Sequence, residues 1–193
     1  MIIKDIDKLK TPCDVVSVPE GEEIGVRLLH ELRQAENGIG LAANQIGINK
    51  RVCVINVKEP IVLINPTITK SSDEKFIFPE SCLSFPKKYI RTERHVSITV
   101  EADNYEVPLE FNADAAEADD AFECVCVQHE IDHLNGITMF DRQYKREPII
   151  KGVNAPLKIG RNEKVTITKG SESKVLKYKK AQPMLEDGWT LSI

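Results

Sequence analysis

QHEIDH, residues 128 to 133, is the segment that decides how this chain is interpreted. On a helix, two residues four apart share one face, so the imidazoles of His129 and His133 can reach one metal ion. Glu130 lies between them and supplies a carboxylate that can act as a base beside that ion. The segment therefore predicts a metal-binding helix of the HExxH type.

The residues before this segment favour a buried site. Phe122, Val125 and Cys126 lie seven, four and three residues before His129 and share its helical face. Histidines that continue an apolar stripe are expected to be buried, and buried imidazoles need partners. The motif alone is also compatible with a solvated helix that binds no metal. The apolar stripe favours a buried metal ion, which would serve as the partner of both imidazoles.

Two upstream segments carry further chemistry. ESCLS (80 to 84) places Cys82, a soft thiolate donor, in a turn-prone context. GIGLAANQ (38 to 45) has Gly38 and Gly40 on either side of Ile39. Glycines permit close backbone approach, as in a strand-like edge that binds the backbone of a substrate. A turn that ends the preceding helix explains these glycines equally well.

The patterning indicates an α+β fold, with antiparallel sheets packed around a central metal-binding HExxH helix and with a C-terminal β-hairpin extension. Helical spacing follows Pro19 and ends at Asn37-Gly38, and a second helix runs from about Asp114 to Asn135-Gly136. Segments rich in β-branched residues predict strands at 51–57, 61–66, 95–100 and about 107–111, and two more around the GSES turn at 170–173.

Charge divides the chain into two predicted regions, a catalytic domain at 1–150 and a basic extension at 151–193. The first carries 17 Lys/Arg and 26 Asp/Glu, and the second carries nine and four. A lysine-rich end can contact nucleic acid, but it is more often only solubilising, so we expect no DNA partner.

The chain has no apolar run of membrane-spanning length and no secretory or transit-type N-terminus. Five cysteines without a pairing pattern suit a reducing compartment. We therefore expect no membrane partner and a cytoplasmic location, or the host cytoplasm if the source is a virus.

Taken in this order, GIGLAANQ, ESCLS and QHEIDH resemble the three characteristic segments of the peptide deformylases, and the resemblance covers about residues 1 to 145. These metal-dependent hydrolases remove the formyl group from the N-terminal formyl-methionine of nascent polypeptides and release formate. The resemblance implies the same reaction and the same substrates here.

The resemblance also implies a role for particular residues. Cys82, His129 and His133 hold the metal and leave one position for water, whose proton Glu130 accepts. Gln45, through its side-chain amide, and Leu83, through its backbone N–H, stabilise the oxyanion. The substrate-binding residues are Gly38, Ile39, Gly40, Phe78, Glu80, Phe122, Val125 and Cys126, and His129 also borders the methionine pocket.

The cofactor expected from the resemblance is one divalent ion, Fe(II). A sulfur donor with two imidazoles also suits zinc, nickel or cobalt, and affinity order alone does not select among them.

Two departures from the family pattern bear on function. Ser81 stands where the family usually has glycine, and it would be strained if that position required a positive φ. We predict that it narrows the cleft without abolishing the chemistry. The residues after about 150 differ from the usual family ending, so transient ribosome contact, if it occurs, would depend on the basic extension.

Three alternatives remain open. HEIDHLNG fits the start of a metzincin-type zinc endopeptidase motif, but the position of the third histidine is Met139. A non-catalytic metal- or peptide-binding protein on the same fold would bind metal without releasing formate. A purely structural protein would bind no metal.

Overall fold

The computed structural model describes residues 2–35, 37–115, 117–145, 164–170, 172–186 and 188–192. The chain divides into two compact units, Met1–Lys145 and Arg146–Ile193. The boundary that the sequence predicts, at residue 150, lies outside the described residues.

The first unit begins with a short helix, α1 (Ile6–Leu9), and a long amphipathic helix, α2 (Val18–Gln34). Pro19 lies in the first turn of α2, where its missing N–H breaks no helical hydrogen bond. The buried apolar positions recur at helical spacing: Ile24, Leu28 and Leu32. This is the helix predicted after Pro19, and it starts slightly earlier than the sequence indicated.

The central helix, α3 (Ala118–Leu134), carries the QHEIDH segment in its last turns. Every residue from Cys124 to Leu134 is buried, as expected for a helix that is covered on all sides. The helix ends at Asn135, and Gly136 follows with φ +72°, a conformation that glycine adopts without strain. The predicted end is confirmed, while the predicted start near Asp114 is about one turn too early.

Two antiparallel sheets enclose α3. One contains β1 (Gly40–Ala42), β2 (Val52–Ile55) and β3 (Ile61–Ile64) in that order, and its two faces pack against different helices. Cys53 and Ile55 belong to the core around α3, whereas Val52 and Val54 pack against α2. Because β2 is buried on both faces, its sequence is a continuous apolar run.

The second sheet has the order β4 (Thr67–Ser71), β7 (Ser97–Glu101), β8 (Leu109–Asn112). It reaches the α3 core through Ile98, Val100 and Phe111. The predicted architecture, with antiparallel sheets around the HExxH helix, is therefore confirmed. The predicted strands at 51–57, 61–66, 95–100 and 107–111 correspond to β2, β3, β7 and β8.

Three strands of the first unit were not predicted from the sequence: β4 and the hairpin formed by β5 (Lys75–Cys82) and β6 (Phe85–His95). The side chains of β4 and β6 are mostly polar and exposed, so these two strands lack the apolar alternation that marks a half-buried strand. The apolar residues of β5, Phe76 to Phe78, were overlooked as a strand signal. The hairpin matters most for the site because β5 ends at Cys82 and the ESCLS segment forms its turn.

The second unit contains the predicted hairpin, β9 (Lys164–Lys169) with β10 (Glu172–Lys177). It also contains two elements that the sequence did not predict, α4 (Tyr178–Glu186) and β11 (Thr190–Ser192), which pairs with β9. Ile167, Ala181 and Trp189 form its small core. Nowhere in the described residues is there a helix long and apolar enough to cross a bilayer.

Candidate metal centre and its cleft

Three metal-ligating side chains from distant segments converge in the first unit. Cys82 ends β5, and His129 and His133 lie one turn apart on α3. Their candidate ligand atoms lie within 4.8 Å of one another, and the Sγ of Cys82 is 3.3 Å from the Nε2 of His133. All three residues are buried. The fold thus brings together the three residues that the resemblance implied as ligands.

The donor set fits a single transition-metal ion. One thiolate and two imidazoles are a soft, three-ligand combination that leaves a coordination position open. Among the described residues, the Oε2 of Glu130 and the Nδ1 of His133 are buried without a hydrogen-bond partner. The unpaired Glu130 oxygen is therefore available to a group held at this centre.

A buried carboxylate orients one of the imidazoles. The Nδ1 of His129 is 2.6 Å from the Oε2 of Glu80, which leaves Nε2 as the ring atom free to bind metal. Glu80 also accepts hydrogen bonds from Arg94 and Thr92. Burial alone would raise the pKa of Glu80, but the hydrogen bonds from His129 and Arg94 outweigh it and lower the pKa to about 2.

These contacts add to the interpretation of Glu80. The residue lines the cavity, as expected of a substrate-binding residue, and its carboxylate is also hydrogen-bonded to His129 and Arg94.

A charged network behind the centre was missed from the sequence. Arg94 bridges Glu80 and Asp132, and Asp132 also accepts hydrogen bonds from Arg142 at 2.7 and 3.0 Å. On β6 the buried Thr92 and Arg94 alternate with exposed residues. This period-two pattern of buried polar side chains was the available signal, but it is informative only once β6 is identified as a strand.

Glu130 lies against β1 in a tight space. A Cβ built on Gly40 would be 2.6 Å from the Oε1 of Glu130 and 2.5 Å from the Sγ of Cys126. Only glycine allows this close approach of strand and helix. Burial raises the pKa of Glu130 to about 7, so the carboxyl can exchange a proton near neutral pH.

The two residues expected to stabilise an oxyanion lie next to Cys82. The Nε2 of Gln45 is 3.4 Å from the Sγ of Cys82 and 3.1 Å from the Oγ of Ser84. Its Oε1 accepts a hydrogen bond from the backbone N–H of Ala42, which fixes the orientation of the amide. Leu83 lies in the turn of the β5–β6 hairpin, directly after Cys82.

A cavity of about 490 Å³ opens onto this centre. Its lining includes all eight residues predicted to bind substrate, together with Gln45, Cys82, Leu83, His129 and Glu130. Phe78 and Phe122 pack edge to face with ring centroids 5.1 Å apart. His133 is not part of the lining and lies behind the other two ligands, 1% exposed.

Six other lining residues were missed from the sequence. Four lie on β6, namely Phe85, Pro86, Lys87 and Tyr89, and the other two are Asn37 and Pro79. Ser81 also lines the cavity and is exposed. Within the described residues, those with positive φ other than glycine are Asn37, Asn65 and Lys87, so Ser81 is not strained by replacing a glycine. The strain that the sequence left open is therefore ruled out at this position.

The two cysteines of α3, Cys124 and Cys126, point in different directions. Cys124 contacts the backbone carbonyls of Val96 and Phe111, whereas Cys126 contacts the carbonyl of Ile39 beside the cavity. Met139, where a metzincin would have its third histidine, is 1% exposed and does not belong to the cluster of candidate ligands.

Comparison with known proteins gives a consistent result. A family model described as Polypeptide deformylase matches residues 2–148. A peptide deformylase of Rhizobium meliloti is 43% identical over 122 residues, which is 59% of this chain and 67% of that protein.

Solved structures agree. A peptide deformylase from Thermotoga maritima is 30% identical and has a TM-score of 0.67 over 75% of this chain and 97% of its own. The enzyme of the Vibrio parahaemolyticus bacteriophage VP16T, solved in complex with actinonin, is 34% identical and has a TM-score of 0.60 over 71% of this chain and 98% of its own. From its sequence and its fold, this chain belongs to the peptide deformylase family.

Proposed function

We propose that Cys82, His129 and His133 hold one divalent metal ion and that Glu130 is the acid–base residue of a deformylation reaction at this ion. Membership of the family makes the chain a hydrolase that removes the formyl group from the N-terminal formyl-methionine of nascent polypeptides. The observation that carries the residue assignment is the convergence of the three donors beside the unpaired carboxylate oxygen of Glu130, at the base of an open cavity.

A divalent ion held by Cys82, His129 and His133 would supply Lewis acidity and would lower the pKa of a water molecule from about 15.7 towards 7. Glu130 handles the proton. Its Oε2 is buried without a partner and its pKa is raised to about 7, so it can accept a proton from the attacking water at neutral pH. The same atom can then donate that proton to the departing amine, which leaves formate and a free N-terminus.

Two donors stabilise the negative charge that develops on the formyl oxygen. The side-chain amide of Gln45 is held by Ala42 with its Nε2 towards Cys82. The backbone N–H of Leu83 follows Cys82 in a tight turn, so both donors are positioned before the substrate arrives.

The substrate backbone and the methionine side chain have separate places in the cleft. Gly38, Ile39 and Gly40 lead into β1, an edge strand of its sheet, to which an extended peptide can add by backbone hydrogen bonds. The methionine side chain enters the apolar part of the cavity formed by Phe78, Phe122, Val125 and Cys126, which suits a flexible thioether.

We assign Fe(II) as the native ion, with zinc, nickel and cobalt as ions that the site also accepts. The support is the mixed sulfur and nitrogen donor set together with the family resemblance. Protein loaded anaerobically with Fe(II) should turn over faster than the zinc form, and equal turnover with zinc would count against this assignment.

The test of the proposed function is release of formate from formyl-Met-Ala-Ser by the Fe(II)-loaded protein. Glu130→Gln should lower the rate by about 10² to 10⁴ while metal content is unchanged. Glu123→Gln is the matched control, because Glu123 lies on the same helix and outside the cavity lining. Metal binding without formate release in the unaltered protein would instead support a non-catalytic binding protein on this fold.

Actinonin provides an independent check of the cleft. It is bound in the structure of the bacteriophage enzyme. We expect it to raise the melting temperature of this protein and to compete with formyl-Met-Ala-Ser. A metal-loaded protein with an unchanged melting temperature would contradict the proposed cleft.

Ribosome contact and a cytoplasmic location remain part of the proposal. The described part of the basic extension exposes Lys177, Lys179 and Lys180. Cosedimentation with ribosomes should weaken when these three lysines are changed to glutamate in the full-length protein. Equal changes at the exposed Lys4, Lys8 and Lys70 of the first unit provide the control for net charge.

A further inference from the structure

The β5–β6 hairpin contains an irregularity at the mouth of the cavity. Glu80 pairs with Ile90, but Cys82 pairs with Phe85, so residues 86–89 loop out opposite Ser81. We call residues 86–89 the rim bulge. Within it Lys87 has φ +66°, a conformation that is uncommon for a residue with a Cβ. The bulge therefore turns its side chains in a way that a regular strand would not.

Lys87 is the one lysine or arginine among the described residues that line the cavity. None of the ion pairs within the described part of the chain involves Lys87. The next residue, Lys88, is also exposed but does not line the cavity. Tyr89 does line it and is 78% exposed. The rim bulge thus offers one unpaired cation and one aromatic ring to a bound peptide.

The carboxylates of the cavity do not balance this charge. Glu80 is paired with Arg94 below the surface of the cleft, and Glu130 is buried beside β1. A formylated peptide also lacks the positive charge of a free N-terminus. The rim bulge therefore presents a positive charge to the cavity, which should attract an acidic side chain of a bound peptide and repel a basic one.

The pleat of an extended peptide indicates which of its side chains reaches the rim bulge. Side chains two apart point to the same side, and an extended chain advances about 3.3 Å per residue. If the methionine side chain fills the apolar part of the cavity, the third side chain returns to the same wall about 7 Å further on. That wall continues from β5 into the rim bulge.

We propose that Lys87 is a specificity-determining residue that favours formyl peptides with Asp or Glu at the third position. The proposal rests on the proposed function, since it assumes that a formyl-methionyl peptide occupies the cleft. It adds a preference that depends on a single side chain of this protein.

The experiment compares C-terminally amidated formyl-Met-Ala-Asp, formyl-Met-Ala-Ser and formyl-Met-Ala-Lys. The unaltered enzyme should show a kcat/KM about fivefold higher for Asp than for Lys at low salt, a ratio that shrinks as salt screens the exposed pair. Lys87→Gln should bring the ratio close to one, and Lys87→Glu should invert it. Lys88→Gln, the matched control, should leave the ratio unchanged. A ratio in Lys87→Glu equal to that of the unaltered enzyme would overturn the proposal.

A binding measurement separates this proposal from the proposed function. Calorimetric titration of the metal-loaded Glu130→Gln variant should give affinities in the order Asp, Ser, Lys. Formate release with no dependence on the third residue would remove the role of Lys87 and leave the function intact. The reverse outcome is also distinguishable. If binding follows the charge of the third residue and this order disappears in Lys87→Gln, but the unaltered enzyme releases no formate, the role of Lys87 stands and the proposed function fails.

Discussion

The floor and the rim of the cleft are built in opposite ways. The floor, Cys82, His129, His133, Glu130 and Glu80, is buried, and most of its polar groups have specific partners. The rim, Ser81, Lys87, Tyr89 and Phe122, is exposed, with Phe122 at 48% and Tyr89 at 78%. A buried, hydrogen-bonded group is fixed before substrate arrives, whereas an exposed one is screened by water. Changes in the floor should therefore alter the chemistry, and changes in the rim should alter only the choice of peptide.

After Glu130→Gln, the largest effect on catalysis is expected at Gln45. Gln45→Glu keeps an oxygen that can accept the Ala42 N–H and removes the Nε2 donor near Cys82. We expect a loss of about 10² to 10³ in kcat with nearly unchanged KM, measured by formate release. Ser84→Ala, which removes a neighbour of the Nε2 without removing the donor, is the control. A loss of less than tenfold would mean that Gln45 supports the turn at Cys82 without stabilising the oxyanion.

A smaller effect is expected at Glu80. Glu80→Gln preserves the shape but removes the charge that orients His129 and pairs with Arg94. Metal affinity should fall by about 10- to 100-fold, measured by competition with a chelator. Glu93→Gln, on the exposed face of β6, should leave metal affinity unchanged. If Glu80→Gln bound metal as tightly as the unaltered protein, the orienting role would be wrong.

Acid should destabilise the floor through the same carboxylate. The pKa of Glu80 is lowered to about 2 in the folded protein, against about 4.3 in an unfolded chain. Its ionised form therefore stabilises the fold above about pH 4, and this contribution, about 3 kcal/mol, is lost as the pH falls through 2. The free energy of unfolding of the metal-free protein should decrease over this interval more steeply than that of Glu80→Gln. Parallel curves would contradict the assignment.

The smallest effect is expected at the rim. Ser81→Gly should leave kcat and metal content unchanged and alter KM by no more than a few fold, because Ser81 is exposed and its φ is not positive. The measurement is a kinetic series on peptides with small and bulky second residues. Identical kinetics on every peptide would remove the idea that Ser81 narrows the cleft.

The same contrast explains what could be predicted from the sequence. The floor residues lie in segments with strong local signals, namely helical periodicity around His129 and a family motif around Cys82. The rim depends on the register of the β5–β6 hairpin, which long-range pairing sets and local composition does not reveal. Arg94 was missed for the same reason, because its partners Glu80 and Asp132 lie 14 and 38 residues away.

Cys82 reaches the centre from a hairpin, whereas His129 and His133 come from a helix 47 residues further along the chain. An ion held by all three would therefore act as a cross-link that closes a long loop, comparable in its effect on the unfolded chain to a disulfide bond. Loss of the ion would release the β5–β6 hairpin before the rest of the unit. Hydrogen exchange should then quicken first in β5 and β6 while α2 stays protected, so that metal starvation would expose this enzyme to proteolysis at its hairpin.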